Sequence, residues 1–334
     1  MSTSESAAEP LTSLSADAPP VAASTVPRAG IGWNSLIGYL FAITGAVLFS
    51  TKAIAIKLAY QHPVDAETLL AIRMGLALPI YLALGSIAVL RKRAGGQRLP
   101  SARRFLAAAG CGLIGYWFAS YTDFIGLLWI SATFERLILI TYPLFVVIIG
   151  WLFFGGRLTW GIVPSLVCAY GGLALIFGAH DGGGGTNVAL GAAMVLAAAV
   201  AFALYQLLAK REIGRIGSEL FTAAAMSGAS AGSLVVFFLT HKVSDLAVAR
   251  EILPHAAFLA IGATIVPSYF LNAALARISA EANGAIGMIS PVATILLAAL
   301  FLGESLSVRE IAGTALVVSG VAWFVMSEKK KAAG

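Results

Sequence analysis

The chain has 334 residues, of which 59% are hydrophobic and only 11% are charged. An ordinary soluble domain has roughly half apolar residues and about a quarter charged ones, so this composition excludes a soluble globular protein and indicates a membrane protein. The formal net charge of +6 would suit a nucleic-acid partner only on a soluble module with a basic face. The sequence contains no such module, and no nucleic-acid partner is expected.

Residues 1–33 are rich in Ser, Ala and Pro and predict a disordered tail. A signal peptide would need a basic start and a short apolar core, and the tail has neither. Ten apolar runs follow, each of a length that predicts a membrane-spanning helix. They lie at residues 35–59, 67–90, 105–128, 131–153, 160–178, 187–210, 217–240, 254–276, 278–301 and 307–326.

Basic residues divide unequally between the two ends of these helices. Four fall on one side: Lys57, Lys242, Arg250 and Arg309. Fifteen fall on the side of the termini: Arg28, Arg91, Lys92, Arg93, Arg98, Arg103, Arg104, Arg157, Lys210, Arg211, Arg215, Arg277, Lys329, Lys330 and Lys331. The positive-inside rule therefore predicts that both termini lie in the cytoplasm, and the expected location is a bacterial cytoplasmic membrane.

The sequence repeats internally. At an offset of 148 residues, 120–174 aligns with 268–322 without a gap. At an offset of 153, Gly38, Phe49 and Lys57 meet Gly191, Phe202 and Lys210. The matched pairs at the first offset include Ser120 with Ser268, Tyr121 with Tyr269, Pro143 with Pro291, and Gly155 with Gly303.

A repeat unit of five helices crosses the membrane an odd number of times, so the second unit enters upside down. The predicted fold is therefore an all-α integral membrane protein of ten transmembrane helices in two inverted five-helix repeats. The predicted regions are a disordered cytoplasmic tail at 1–33, repeats at 34–178 and 187–326, an external glycine-rich linker at 179–186, and a basic cytoplasmic tail at 327–334.

Five charged residues lie more than three positions inside the ends of predicted spans, and a charge costs about 2.5 to 3.5 kcal/mol at mid-bilayer. At 1.5 Å per residue, all five occupy the outer third of the membrane, and three bases against two acids leave one positive charge. They predict a partly paired, water-accessible cluster that a substrate carboxylate could complete. The alternatives are a structural ion-pair network or an external gate. In either case a long basic side chain could extend to the membrane interface, and Arg136 is the residue best placed to do so. The five are Lys52, Arg73, Asp123, Glu135 and Arg136.

Polar residues extend this candidate substrate-binding or gating set. Tyr116 and Asp123 share one helical face, and Tyr121 and Tyr269 are repeat mates. In the second half, Asn272 and Asn283 can hydrogen-bond a ligand. The alternatives are interfacial anchoring for the tyrosines and interhelical hydrogen bonding for the asparagines.

Pro143 and Pro291 each remove one helical hydrogen bond within a span, which predicts either a hinge or a simple kink. Cys111 and Cys168 fall in apolar runs, and the four histidines map to loops or helix ends, so no metal site is expected. No Walker loop, dinucleotide fingerprint or GxSxG element is present. Neither a cofactor nor an enzymatic activity is therefore predicted.

Three stretches resemble the drug/metabolite transporter superfamily and, within it, the EamA family: FSTKAIAIKLAY from Phe49, SYTDFIGLLWISATFERLILITYP from Ser120, and LFLGESLSVREIAGTALVVSG from Leu300. The resemblance covers Ser35 to Met326. It implies a ten-helix inverted repeat that exports amino acids and other small metabolites, often by proton exchange, through a cavity between the halves. At position 156 this sequence has Gly where the family usually has a glutamate. In the second half, Glu304 keeps the corresponding glutamate, but Ser305 stands where the family usually has a basic residue.

The expected function is secondary active export of small metabolites, with amino acids as the leading substrate class. The lipid bilayer is an expected partner. Proton coupling through Asp123 or Glu135 stays open, because nearby cations favour the ionised carboxylates. The alternatives are an intramembrane enzyme and a non-transporting receptor or scaffold. No oligomeric state follows from the sequence.

Overall fold

The computed structural model describes residues 33–155, 162–180, 185–278, 283, 286–287, 289–303 and 307–333. Every regular element of these residues is helical, because a helix pairs its own backbone groups where no water can. The predicted N-terminal tail, the centre of the glycine-rich linker, and Gly156, Glu304 and Ser305 lie outside the described residues.

The described residues include two π-helical turns, Leu113–Phe118 and Ile261–Ile265, and a 3₁₀ turn at Val243–Val248. The α-helices are α1 Trp33–Ala59, α2 Ala66–Ala94, α3 Ala102–Gly112, α4 Ala119–Gly126, α5 Ala132–Leu139, α6 Tyr142–Phe154, α7 Ile162–His180, α8 Gly185–Ile216, α9 Ser218–Thr240, α10 Ala249–Ala260, α11 Val266–Arg277, α12 Ile289–Leu302 and α13 Val308–Ala333.

Six segments of the described chain are long and apolar enough to cross a bilayer. Shorter apolar helices occur at Ala293–Leu302 and Ile311–Gly320. The prediction of an all-α membrane protein is confirmed, whereas the number ten stays a prediction. The six segments are Trp33–Ala59, Ala66–Ala94, Ala132–Phe154, Asn187–Ile216, Ser218–Thr240 and Val243–Arg277.

Two helices extend beyond the predicted spans. Helix α8 continues six residues past position 210, to Ile216, and α13 continues to Ala333 through most of the predicted basic tail. The α8 extension contains two arginines and a glutamate, and the α13 extension contains a glutamate, three lysines and two alanines, all of which are strong helix formers. Gly217 ends the α8 extension with a φ of 87°.

The predicted fourth span is broken where α5 ends and α6 begins. Pro143 lies in the first turn of α6, and Pro291 is the third residue of α12. A first-turn proline loses no intrahelical bond, and its fixed φ suits the position. Gly155 and Gly303 end the same two helices with φ of 69° and 66°, a conformation that glycine adopts without strain. Pro143 therefore begins a helix, and a hinge role for Pro143 and Pro291 stays a prediction.

Small residues are frequent in the interior of the bundle, and many large apolar side chains face outward. Ala53, Ala77 and Ala229 are fully buried, whereas Leu239 and Phe153 are 80% and 76% exposed. Lipid solvates leucine as well as a protein core does, so membrane helices gain most by close approach through small residues. The main helix pairs are α1 with α11 and α12, α2 with α9, α3 with α9, α4 with α8, α6 with α8, and α7 with α13.

Candidate functional site

A cavity of about 90 Å³ lies between helices from both halves of the sequence. The first half contributes residues of α1, of the α3–α4 segment, and of α5 and α6. The second half contributes residues of α8, α11, α12 and the segment around Asn283. The lining residues are Ala46, Phe49, Lys52, Gly115, Tyr116, Ala119, Ser120, Asp123, Arg136, Leu139, Ile140, Tyr142, Ala198, Phe202, Gln206, Leu271, Asn283, Gly287 and Ser290.

Four of the five predicted charged residues meet at this cavity and form what we call the ion-pair cluster. The Nζ of Lys52 lies 2.6 Å from Asp123 Oδ2 and 3.8 Å from Glu135 Oε1. The Nε of Arg136 lies 3.7 Å from Glu135 Oε2. All four residues are at most 4% exposed, so the cluster is buried within the bundle, and access of water to it stays a prediction.

Arg136 does not snorkel to the membrane surface. Its side chain is buried, and its Nη2 donates to the backbone oxygen of Phe49 at 3.1 Å. Because α5 begins near the predicted outer surface and packs on α1 and α12, the guanidinium of Arg136 turns into the bundle, where Glu135 and a carbonyl stabilise it.

Three carboxylate oxygens of the ion-pair cluster keep free hydrogen-bonding capacity. Asp123 Oδ1 and both oxygens of Glu135 have no N–H or hydroxyl donor within hydrogen-bond distance among the described residues. A buried acceptor left in this way costs about 1 to 3 kcal/mol. Asp123, which lines the cavity, therefore offers an acceptor that a ligand's N–H group, or a proton, would satisfy, and Glu135 holds two more within the same cluster.

Arg73 stands one side chain behind the cavity wall, apart from the ion-pair cluster. Its Nη2 donates to Ser120 Oγ at 3.0 Å, and its guanidinium lies 4.8 Å from the ring centre of Phe124. Within the described part of the chain, its Nε has no acceptor. The formal charges of the ion-pair cluster cancel, so the extra positive charge predicted for the five residues resides on Arg73.

Aromatic rings form a second wall of the cavity. Phe49 stacks on Phe202 with ring centres 6.4 Å apart, and Tyr142 meets Phe202 edge-on at 5.2 Å. The Lys52 Nζ and the Arg136 guanidinium lie 4.9 Å and 5.5 Å from the Phe49 ring centre, within cation–π range. Sequence reasoning did not select these rings as site residues. The alignment of Phe49 with Phe202 in the internal repeat was a usable signal, because corresponding residues of two repeats can meet where the repeats pack together.

The predicted tyrosines separate into different places. Tyr116 lines the cavity and packs edge-on against Tyr205 at 5.1 Å. Tyr121 does not line it and instead donates its hydroxyl to Glu67 at 2.9 Å. Tyr269 stacks on Tyr81 with ring centres 6.0 Å apart, also away from the lining.

The two predicted asparagines also differ. Asn272 accepts from the Tyr205 hydroxyl and donates to Thr222 Oγ1, both at 3.0 Å, which is the interhelical arrangement considered above. Asn283 lines the cavity, and its Oδ1 has no donor among the described residues. Gln206 lines it with a similarly free amide oxygen, and no pattern in the sequence singled it out.

Three potential metal ligands meet at the end of the bundle where α2 begins and α9 ends. The ligand atoms of Asp65, Glu67 and His241 lie within 4.8 Å of one another. His241 is 3.2 Å from Glu67 and 3.5 Å from Asp65. Partial burial acts to raise the pKa of Asp65, but hydrogen bonds from the Thr68 N–H and hydroxyl outweigh it and hold that pKa below its usual value. These side chains join two helices and cap one of them.

The fold and the cavity define an integral membrane protein with a buried, charged chamber inside a helical bundle. The chain belongs to the EamA-like transporter family, whose model matches residues 36–178 and 189–326. A Bacillus subtilis protein described as the uncharacterized transporter YcbK is 28% identical over 311 residues, covering 88% of this chain and 95% of that protein. An uncharacterized transporter of Clostridium kluyveri is 22% identical over 299 residues, covering 88% and 94%.

A solved protein crystal structure shares the fold. Its TM-score with this chain is 0.60 at 20% sequence identity, and the match covers 88% of this chain and 98% of that one. At this identity the likeness concerns the arrangement of helices alone. The family identifies a membrane transporter, and the structural match adds the likeness of fold.

Proposed function

We propose that the protein is a secondary active transporter that exports small polar or amphipathic metabolites by alternating access, with amino acids as the leading substrate class. The observation that carries the proposal is a buried ion-pair cluster in the wall of a cavity lined by both halves of the chain. Ionisable residues at membrane depth are expensive, pair with one another and mark substrate and ion pathways in membrane proteins.

The chemistry of the cavity suits an amphipathic zwitterion. The free Oδ1 of Asp123, which lines the cavity, would accept from an ammonium group, and the charge of Glu135 in the same cluster would add to the attraction. A carboxylate would find cations in Arg136, which lines the cavity, and in Arg73 behind Ser120. The faces of Phe49 and Phe202 would contact an apolar side chain. Asp123 and Glu135 are also the candidate carriers if a proton is the coupling ion.

The proposed architecture is ten spanning helices in two inverted repeats, and helix packing supports it. A repeat symmetry that relates α1 to α8 and α4 to α11 converts the α1–α11 pair into the α8–α4 pair. It likewise converts α1–α12 into α8–α6 and maps α2–α9 and α7–α13 onto themselves, and all these pairs pack. The π-helical turns at 113–118 and 261–265 also lie 148 residues apart. Such a symmetry provides two related conformations around one cavity.

The proposal is tested by metabolite counterflow in proteoliposomes, with and without an imposed pH gradient. We expect saturable uptake of a labelled amino acid into vesicles preloaded with the same compound, and a response to the gradient if protons are coupled. Substrate conversion by the purified protein without translocation would instead establish an enzyme and exclude the proposed transport.

We propose further that both termini face the cytoplasm, as the basic residues predict. In a background with both native cysteines replaced by alanine, Ser244→Cys should react with an impermeant maleimide in intact cells, and Gln97→Cys only after lysis. Both positions are exposed, at opposite ends of the bundle. The reverse labelling pattern would invert the topology.

A further inference from the structure

A second hollow lies on the outer surface of the bundle, between α2, α3 and α9. It measures about 660 Å³ and shares no residue with the cavity described above. We call it the lateral groove. Its rim includes Leu82, Leu90 and Leu106, whose side chains are 53%, 61% and 72% exposed, and its floor includes Ala223 and Ala224.

The lateral groove lies at the depth of one leaflet of the membrane. Along α2 it extends from Tyr81 to Leu90, which at 1.5 Å per residue is about 14 Å. The hydrocarbon core of a bilayer is about 30 Å thick. Helices α2 and α9 both belong to segments long and apolar enough to span a bilayer, so we expect lipid chains to cover this groove in the membrane.

A polar hollow of about 350 Å³ continues the groove at the end of α2. The two hollows share Leu220, and Arg91 and Lys92 directly follow Leu90 along the helix. These two cations face one acid, Glu219, which leaves a formal charge of +1 in the hollow.

Helix α9 begins in the same polar hollow, immediately after Gly217. Glycine has no side chain with which to accept from the first N–H groups of the helix, and the positive end of the helix dipole favours an anion there. The backbone and the two cations of α2 therefore attract negative charge to the point where the apolar groove ends.

We infer that the lateral groove and the polar hollow together bind one anionic phospholipid. An acyl chain lies along α2, α3 and α9, and the phosphate lies beside Arg91 and Lys92. Basic pockets between membrane helices recognise anionic headgroups in this way. The groove joins α2 and α3 of the first half to α9 of the second half, so the bound lipid contacts both halves. The inference is independent of substrate and of transport direction.

Native mass spectrometry of the full-length protein tests this inference. The protein is purified in detergent and offered equal amounts of dioleoyl phosphatidylglycerol and dioleoyl phosphatidylcholine. We expect the first bound lipid to be phosphatidylglycerol. A basic residue near the headgroup is worth roughly a fivefold change in binding, so Arg91→Gln and Lys92→Gln should each reduce the preference by about that factor.

Matched controls use neighbouring positions that line neither hollow. Arg93→Gln removes an equally exposed cation two residues from Arg91 and should keep the preference. A second pair of variants tests the groove itself. Ser86→Phe places a large side chain in the lateral groove and should release the lipid. Its control is Ile87→Phe, at the adjacent exposed position outside the groove, which should keep the lipid.

Several results would overturn the site. If Arg93→Gln reduced the preference for phosphatidylglycerol as much as Arg91→Gln does, the attraction would be a general one to the charged surface. If Arg91→Gln and Lys92→Gln left the preference unchanged, these residues would not contact the headgroup. Retention of lipid by Ser86→Phe would exclude the groove. Displacement of phosphatidylglycerol by inorganic phosphate at equal concentration would show a phosphate site in place of a lipid site.

Discussion

Lys52→Ala is expected to abolish counterflow and to destabilise the folded protein by about 3 to 5 kcal/mol. Lys52 Nζ is 2.6 Å from Asp123 and 3.8 Å from Glu135, so the substitution leaves Asp123, which is 1% exposed, without its cation. A buried carboxylate in that position either loses its ionised form or draws water into the bundle. Counterflow normalised to the amount of folded protein, together with thermal unfolding in detergent, measures both effects.

The double variant Lys52→Ala/Asp123→Asn separates stability from transport. It removes one charge of each sign and leaves Glu135 with Arg136, 3.7 Å away, so it should recover most of the lost stability without recovering transport. Thr51→Ala is the matched control, because Thr51 is adjacent on α1 and does not line the cavity. Normal counterflow by a correctly inserted Lys52→Ala protein would remove Lys52 from the site.

Gly112→Ala is expected to prevent the accumulation of folded protein. A Cβ on Gly112 would lie 1.7 Å from the backbone oxygen of Ala225 on α9 and 2.4 Å from its carbonyl carbon. Backbone cannot turn aside as a flexible side chain can, so α3 and α9 would have to separate. Overpacking usually costs about 1 to 3 kcal/mol, and this contact falls at or beyond the upper end. The yield of monodisperse protein and its unfolding temperature report the effect.

Gly110→Ala provides the control two residues away on the same helix. A Cβ on Gly110 would have no heavy atom of the described residues within 4 Å, apart from the backbone of its own helix and its chain neighbours. Replacing a helical glycine by alanine should then stabilise by about 0.5 to 1 kcal/mol. Equal unfolding temperatures for Gly112→Ala and Gly110→Ala would contradict the close approach of α3 and α9.

The sequence by itself determined the features that depend on composition and on short-range pattern. Apolar runs predicted a helical membrane protein, because lipid depth admits no unpaired backbone. The motifs from Phe49, Ser120 and Leu300 placed the chain in its family. Charges within apolar runs selected Lys52, Asp123, Glu135 and Arg136, because each would be too costly alone and needs a partner.

The tertiary structure decided which side chains meet. It buried Arg136 against Phe49, set Arg73 behind Ser120, and moved Tyr121 away from the cavity to Glu67. In water, a hydrophobic stripe shows which face of a helix is buried, but in a bilayer both the lipid and the protein interior are apolar. The rotation of each helix therefore does not follow from its hydrophobic pattern, and the contacts across α1, α4 and α5 that build the site follow only from packing.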